Sequence, residues 1–389
     1  MKKLSFITET FTESIIREMT RISDSMRGIN LSQGFPDFSA PDEIKDAAIK
    51  AITTNYNQYP VTFGESELRD AISKKVLMFN NIKANPESEI TVTCGATEAM
   101  IATLKAIINP GDEIIIFQPF YENYGPDTIL SGAIPKYVNL YPPYWQINYD
   151  ELAASFNNKT KAIIINTPNN PTGKVFSKEE LQFIANLCLK WDTYAITDEI
   201  YEHILYDNNK HISIASIDGM AERTITINSI SKTYSVTGWR VGWAIASAPI
   251  TARIRKVHDF LTVGAPTPFQ HAAVYALNLE QNYYEMLKLK YQHSRNHIIE
   301  TLTNVGFIPY IPQGAYYVIA YAGQIYEKLK AENDFDFSRK LIERTKVATV
   351  PGFSFYSEKN IITKTVRFAF CKKQETLEQV RMLLKNLIK

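Results

Sequence analysis

Short apolar runs alternate with amphipathic stretches through the middle of the chain, a rhythm that predicts an α/β fold. Strands are expected at Glu89–Thr93, Glu113–Phe117, Ile134–Leu140, Lys161–Asn166, Tyr194–Asp198, Thr224–Asn228 and Val241–Ala246. Several are continuous Ile/Val/Ala runs, which suits strands covered on both faces. Between them, Ala96–Ile108 places Met100, Ile101, Leu104, Ile107 and Ile108 on one helical face. Ser177–Trp191 opens with Ser177 and carries Glu180 three residues later, the pattern of a capping box.

The texture changes after about residue 285. A long amphipathic stretch, Tyr283–Val305, leads to strands expected near Ala315–Ala320, Val347–Val350 and Thr365–Phe370. A last helix has Leu377, Val380, Leu384 and Leu387 on one stripe. The expected architecture is a mostly parallel sheet covered by helices, in residues 41–285, and a smaller α+β domain in 286–389. Residues 1–40, helical at Thr12–Arg27 and extended at Ile29–Leu31, are expected to pack with the smaller domain.

Composition narrows the function classes. The 389 residues carry 42 Lys+Arg against 41 Asp+Glu, a net charge of +1, which argues against a general nucleic-acid binder. The longest apolar runs, such as Ile114–Phe117, are too short to span a bilayer, and no apolar leader follows the N-terminal lysines. Cys94, Cys188 and Cys371 are widely spaced and form no metal pattern, which suits free thiols in the cytoplasm. Histidine is sparse, so no metal is expected.

Four local features sit at strand ends or loops, where open α/β sheets bind ligands. In Ser229-Ile230-Ser231-Lys232, followed by Arg240, a lysine lies among hydroxyls with a second cation nearby. The segment is either a polar surface loop or an amine tuned to condense with a carbonyl compound. Asn166-Thr167-Pro168-Asn169-Asn170-Pro171-Thr172-Gly173 is either a simple turn or a loop that aims an Asn side chain into a site. Asp198 ends a very apolar strand, where it is either a helix cap or the partner of a buried cation. Gly95-Ala96-Thr97 stands at a strand–helix junction, where free N–H groups make an anion site, and Glu98 follows in the first turn.

The order of these four is more specific than any one of them. Together they would hold a phosphorylated pyridine aldehyde, and the chain resembles a fold-type I pyridoxal-phosphate (PLP) aminotransferase of the class I/II family from about Ile29 to its end. The resemblance implies a seven-stranded, mostly parallel sheet. It implies that Lys232 carries the cofactor, that Asp198 pairs with the ring nitrogen, and that Tyr201 and Asn170 contact the ring hydroxyl. Gly95, Ala96, Thr97, Ser229 and Arg240 would bind phosphate, and Tyr121 would stack on the ring. Arg367, in Thr365-Val366-Arg367-Phe368-Ala369-Phe370, would grip the substrate α-carboxylate together with Asn170 and the Gly34 backbone. Tyr59 would reach the phosphate of a second subunit, so a homodimer is implied.

For the substrate, no cation for a distal carboxylate is apparent in the sequence. Val257–Gln270 lacks Arg and Lys, while Phe260, Leu261 and Val263 offer apolar surface. Ser32–Phe38 and Lys256–Thr262 look closest to the methionine aminotransferase and kynurenine–glutamine transaminase branch. Methionine is therefore the favoured donor, with Phe, Tyr, Gln and kynurenine. The alternatives are a cysteine-S-conjugate β-lyase at the same site, or an aspartate or broad-specificity aminotransferase. An aminotransferase-like sensor fused to a DNA-binding domain lacks room at the N-terminus. A nicotinamide dehydrogenase lacks a GxGxxG after the first strand.

Overall fold

The computed structural model describes residues 2–358 and 360–388. Its main sheet holds β1 (Ile90–Thr93), β2 (Glu113–Gln118), β3 (Ile134–Tyr141), β4 (Gln146–Ile147), β5 (Thr160–Asn166), β6 (Tyr194–Asp198), β7 (Thr224–Ser229) and β8 (Gly242–Ile245). The spatial order is β1-β8-β7-β6-β5-β2-β3-β4. From β7 to β3 every neighbouring pair is parallel, while β8 runs antiparallel to both β7 and β1. All seven expected strands form, with ends moved by a residue or so. The sheet differs from expectation in an eighth strand, the two-residue β4, which folds back antiparallel on β3. That element is too short to show an alternating pattern.

The apolar runs form strands because both sheet faces are covered. Ile114, Ile116, Ile164, Ile196, Ile225 and Ile227 share one cluster with Leu104, Ile250 and Ile254 of the helices Ala96–Ile107 and Ala248–Leu261. Ile115, Phe117, Ile163, Ile165 and Ala195 belong to a second cluster, with Leu181 and Ile184 of helix Lys178–Trp191. Alternating side chains thus enter different apolar layers, so Ile114–Phe117 and Ala162–Ile165 are hydrophobic at every position. The capping box closes that last helix as expected: Ser177 Oγ accepts from Glu180 N–H at 3.2 Å, and Glu180 Oε2 accepts from Ser177 N–H at 2.9 Å.

A second, four-stranded antiparallel sheet joins Ile308–Pro309, Tyr317–Tyr321, Thr365–Ala369 and Val350–Pro351 in that order. The expected strand Val347–Val350 is instead two pieces. Val347–Ala348 pairs in parallel with Ile29–Asn30, and Val350–Pro351 pairs with Arg367 and Val366. The chain changes partner between them, which a continuous apolar run hides. Leu31 N–H donates to Ala348 O at 3.0 Å and Leu31 O accepts from Ala369 N–H at 2.8 Å, so the N-terminal segment is stitched to this second sheet. The C-terminal stripe of Leu377, Val380, Leu384 and Leu387 is buried in the same cluster as Val318 and Phe368.

Ile196→Ala, which empties a fully buried position two residues before Asp198, is expected to lower stability by about 2–5 kcal/mol. Ser177→Ala is expected to cost about 1 kcal/mol by loss of the cap. Urea titration of both variants tests the ranking. Equal losses would mean that the Ile196 cavity collapses or that the cap matters more than its geometry implies.

Candidate active site

Three loops at the carboxyl ends of β5, β6 and β7 open onto one cleft of about 510 Å³, and the start of helix Ala96–Ile107 forms another wall. Lys232, Asp198, Tyr201, Asn170, Ser229, Arg240, Ala96, Thr97, Tyr121, Gly34 and Arg367 all line it. Gly95 lies directly behind the wall. A Cβ at position 95, where φ is +82°, would collide with the Arg240 guanidinium, so glycine permits both the turn and the approach.

The charges in this cleft lack counter-ions. Arg367 is buried at 1% exposure, yet no carboxylate among the described residues lies in ion-pair range. Its Nη1 donates to Asn170 Oδ1 at 2.7 Å, its Nη2 donates to Ser32 O at 2.5 Å, and its Nε has no partner. The guanidinium stands 4.3 Å from the Tyr317 ring centre and 4.9 Å from that of Phe355. Arg240, half-buried, donates among the described residues to the carbonyls of Thr237 and Cys94, at 3.0 and 3.4 Å. Buried guanidinium groups without a carboxylate are costly, and an anionic ligand removes that cost.

Asp198 is the matching carboxylate. Burial pushes its pKa up to about 6, against the Tyr124 hydrogen bond that favours the charged form. Tyr124 O–H donates to Asp198 Oδ2 at 2.7 Å, and Ile200 N–H to Oδ1 at 3.4 Å, but no cation pairs with it among the described residues. Asp198 caps no helix; a turn follows it. Lys232 Nζ donates to Gly34 O at 3.3 Å and sits 5.9 Å from the ring centres of both Tyr201 and Tyr316. Burial lowers its pKa to about 8, with Arg240 and Arg367 adding to the effect and Asp198 opposing it.

Hydrogen bonds hold the loops. Asn166 Nδ2 donates to Asp198 O at 2.9 Å, and its Oδ1 accepts from Asn170 N–H at 2.7 Å, tying β5 to β6 at their ends. Tyr201 and Tyr317 share a hydroxyl contact of 3.0 Å. Under the floor, Glu202 pairs with Lys75 and accepts from Asn228 Nδ2 at 2.6 Å, while Asn228 Oδ1 accepts from Ser229 N–H at 2.7 Å. Burial acts against the Glu202 charge, but Lys75, His203 and His211 together outweigh it and hold the carboxyl at about 2. That ion pair anchors the strand end from which Ser229 and Lys232 depart.

Sequence reasoning did not single out Tyr124, Tyr317, Asn228 or the Lys75–Glu202 pair. None of them carries a local signal, since helix Tyr124–Leu130 begins only at Tyr124 and the bonds to Asp198, Tyr201 and Glu202 join residues distant in sequence. Two expectations about the substrate end need correction. Phe260, Leu261 and Val263 do not line this cleft; they are 91%, 43% and 44% exposed at the far end of helix Ala248–Leu261. A further cation does line it: Arg17, on helix Ile15–Ser25, which the cleft wall includes along with Ser14 and Ile16. Ser14 Oγ donates to Glu122, so this helix is moored to the loop after β2. Tyr59 lies outside the cleft and is 85% exposed.

Comparisons with known proteins agree with this geometry. The aminotransferase class I and II family matches residues 27–383. A kynurenine–oxoglutarate transaminase of Dictyostelium discoideum is 36% identical, over 98% of this chain and 95% of its own length. The structure of N-succinyldiaminopimelate aminotransferase from Mycobacterium tuberculosis superposes with a TM-score of 0.94 at 34% identity, covering 99% of this chain and 100% of the other. That of YbdL from Escherichia coli, identified as having a methionine aminotransferase function, gives 0.93 at 32% identity, covering 99% of each chain. The chain therefore belongs to the class I and II aminotransferases and is a PLP-dependent enzyme that moves an amino group between an amino acid and a 2-oxo acid.

Proposed function

We propose that this aminotransferase draws its amino group from large neutral amino acids, methionine first and then Phe, Tyr, Gln and kynurenine, in a ping-pong cycle. The observation that carries the reading is Arg367, a buried guanidinium with an unpartnered Nε beside two aromatic rings, matched to a planar carboxylate. Ile16, Phe35 and Tyr121 give the cleft apolar walls for a side chain. Methionine and kynurenine also appear in the names of the relatives described above.

The residues present fit PLP. Arg240 and the helix start at Ala96 offer an anion site, Asp198 offers a carboxylate in need of a cation, and Lys232 offers an amine of lowered pKa. In this reading Gly95, Ala96, Thr97, Ser229 and Arg240 hold the phosphate. Asp198 holds the ring nitrogen, Tyr201 and Asn170 the ring hydroxyl, and Tyr121 the ring face. Bound PLP supplies an electron sink for charge that develops at the substrate α-carbon. Lys232 Nζ moves the proton on and off that carbon, and its lowered pKa leaves part of it as free base near neutrality. Gly34 and Arg367 fix the α-carboxylate, which presents the α-hydrogen to Lys232.

The proposal includes a homodimer. Tyr59 is exposed, and the exposed Phe260 and Val263 precede Gly264, which packs on Pro60. It also includes a large domain of residues 41–285 and a small one of 286–389 with the N-terminal 40 residues attached. The three free cysteines suit the cytoplasm.

Arg17 favours a second, broader reading, in which acidic 2-oxo acids serve as acceptors and acidic amino acids as slower donors. It lines the cleft from an exposed position on helix Ile15–Ser25, and its charge is felt by Glu13.

Three outcomes are expected. Lys232→Ala should abolish turnover while keeping some cofactor non-covalently, read by absorbance before and after borohydride; residual wild-type turnover would remove Lys232 from its role. Capture of added PLP by the cofactor-free protein should speed up with pH and level off above about 8, because only the neutral amine reacts. A break near the ordinary 10.5 would contradict the burial argument. In a half-reaction screen, Met, Phe, Tyr and Gln should outpace Asp and Glu. Arg17→Gln should slow Glu by about two- to fivefold, the size an exposed ion pair allows, and leave Met unchanged. A faster Asp reaction in the parent would sink the preference for neutral donors.

A further inference from the structure

His258 has no part in the chemistry described above, yet it is completely buried at the phosphate end of the cleft. It projects from helix Ala248–Leu261 between two oxygen atoms. Nδ1 lies 2.6 Å from Glu98 Oε1, and Nε2 lies 2.6 Å from the carbonyl oxygen of Thr62. A carbonyl only accepts, so Nε2 carries hydrogen. Glu98 already accepts from Thr262 Oγ1 at 2.7 Å on Oε1 and from Cys94 N–H on Oε2, the pattern of an ionised carboxylate. Hydrogen on Nδ1 as well makes the ring a cation. Burial opposes charge on both groups, but their mutual hydrogen bond and attraction, joined by Cys94 N–H and Thr262 at Glu98 and by the Thr62 carbonyl at His258, together outweigh it, holding Glu98 below and His258 above their ordinary ranges. The other ionisable groups around the pair are Asp259, which favours the cation, and the Cys94 thiol with Arg240 beyond it.

The two bonds join segments that the sequence keeps far apart. Glu98 stands in the first turn of helix Ala96–Ile107 and fixes the Cys94 amide just before Gly95. Thr62 belongs to the segment that carries Tyr59, which is also fastened by Thr267 Oγ1 to Gln58 O at 2.6 Å and by Glu65 N–H to Gln270 Oε1 at 2.9 Å. A carboxylate in the first turn of an anion-binding helix would repel a phosphate. We propose that His258 is a positioning residue of the phosphate site: its positive ring cancels the Glu98 charge beside the anion and locks the Gly95 turn to the Tyr59-bearing segment. This rests on the assignment of Gly95–Thr97 and Arg240 to phosphate.

The test measures the dissociation constant of PLP from the cofactor-freed enzyme, with inorganic phosphate as competitor, in four variants. Arg240→Gln should weaken both ligands. His258→Gln should weaken both by about tenfold, since it leaves the Glu98 charge uncompensated within a helix turn of the anion. Glu98→Gln should stay within about threefold of the parent, and the double variant should recover to that level. Additive loss in the double variant would show His258 to be a packing residue only and overturn the proposal. So would an unchanged His258→Gln beside a weakened Arg240→Gln. An unchanged Arg240→Gln would instead remove the phosphate assignment itself. If His258→Gln does not fold, Glu98→Gln decides alone: a tenfold loss there overturns the proposal.

Discussion

Burying charge without a counter-ion is the constraint on which this structure turns. Arg367, Asp198 and Lys232 line one cleft, each largely withdrawn from water, and none is ion-paired among the described residues. Collapse onto one another would satisfy them at once, and the fold prevents it. Arg367 is held by Asn170, the Ser32 carbonyl and two aromatic rings, while Asp198 is held by Tyr124 and the Ile200 amide. Each restraint uses neutral groups. The charge is therefore oriented but not quenched, and a zwitterionic substrate and an anionic cofactor gain what the fold withholds.

Such restraint needs a rigid frame, and the two sheets divide the task. The parallel run from β7 to β3 ends its strands at one edge, so Asn166, Asp198 and Ser229 leave the sheet side by side. Arg367 comes from the second sheet, in register with Ile319 and Val350. Arg367 and Asp198 therefore belong to separately packed sheets, joined where Tyr201 meets Tyr317. A ligand that bridges them binds the two cores to each other.

The parts legible in the sequence are those with a local cause. Continuous Ile runs marked strands covered on both faces, Ser177 and Glu180 marked a helix start, and hydroxyls around Lys232 marked a polar loop. Tyr124 and Tyr317 stayed hidden among 22 tyrosines because nothing local distinguishes a tyrosine that bonds a carboxylate from one that fills a core. The Lys75–Glu202 pair spans 127 residues, and its meaning exists only once the helix of Lys75 and the turn after β6 are packed. The break between Val347–Ala348 and Val350–Pro351 was hidden for the same reason, since the choice of partner strand is tertiary.

The substrate end followed another rule. The groups that do chemistry are buried, and their cost if misplaced is large, so they leave sharp marks in sequence. The groups proposed to meet the substrate side chain, Ile16, Arg17 and Phe35, sit on the N-terminal helix and the loop after it, with Ile16 half-buried and Arg17 and Phe35 exposed. An apolar pocket discriminates between such side chains by only about 1–3 kcal/mol. An exposed guanidinium contributes less still, because water competes for it. Small energies leave weak sequence constraints. That is why one chain can announce its reaction through Lys232, Asp198 and Arg367 while leaving its amino donor to be settled by residues that any surface helix could carry.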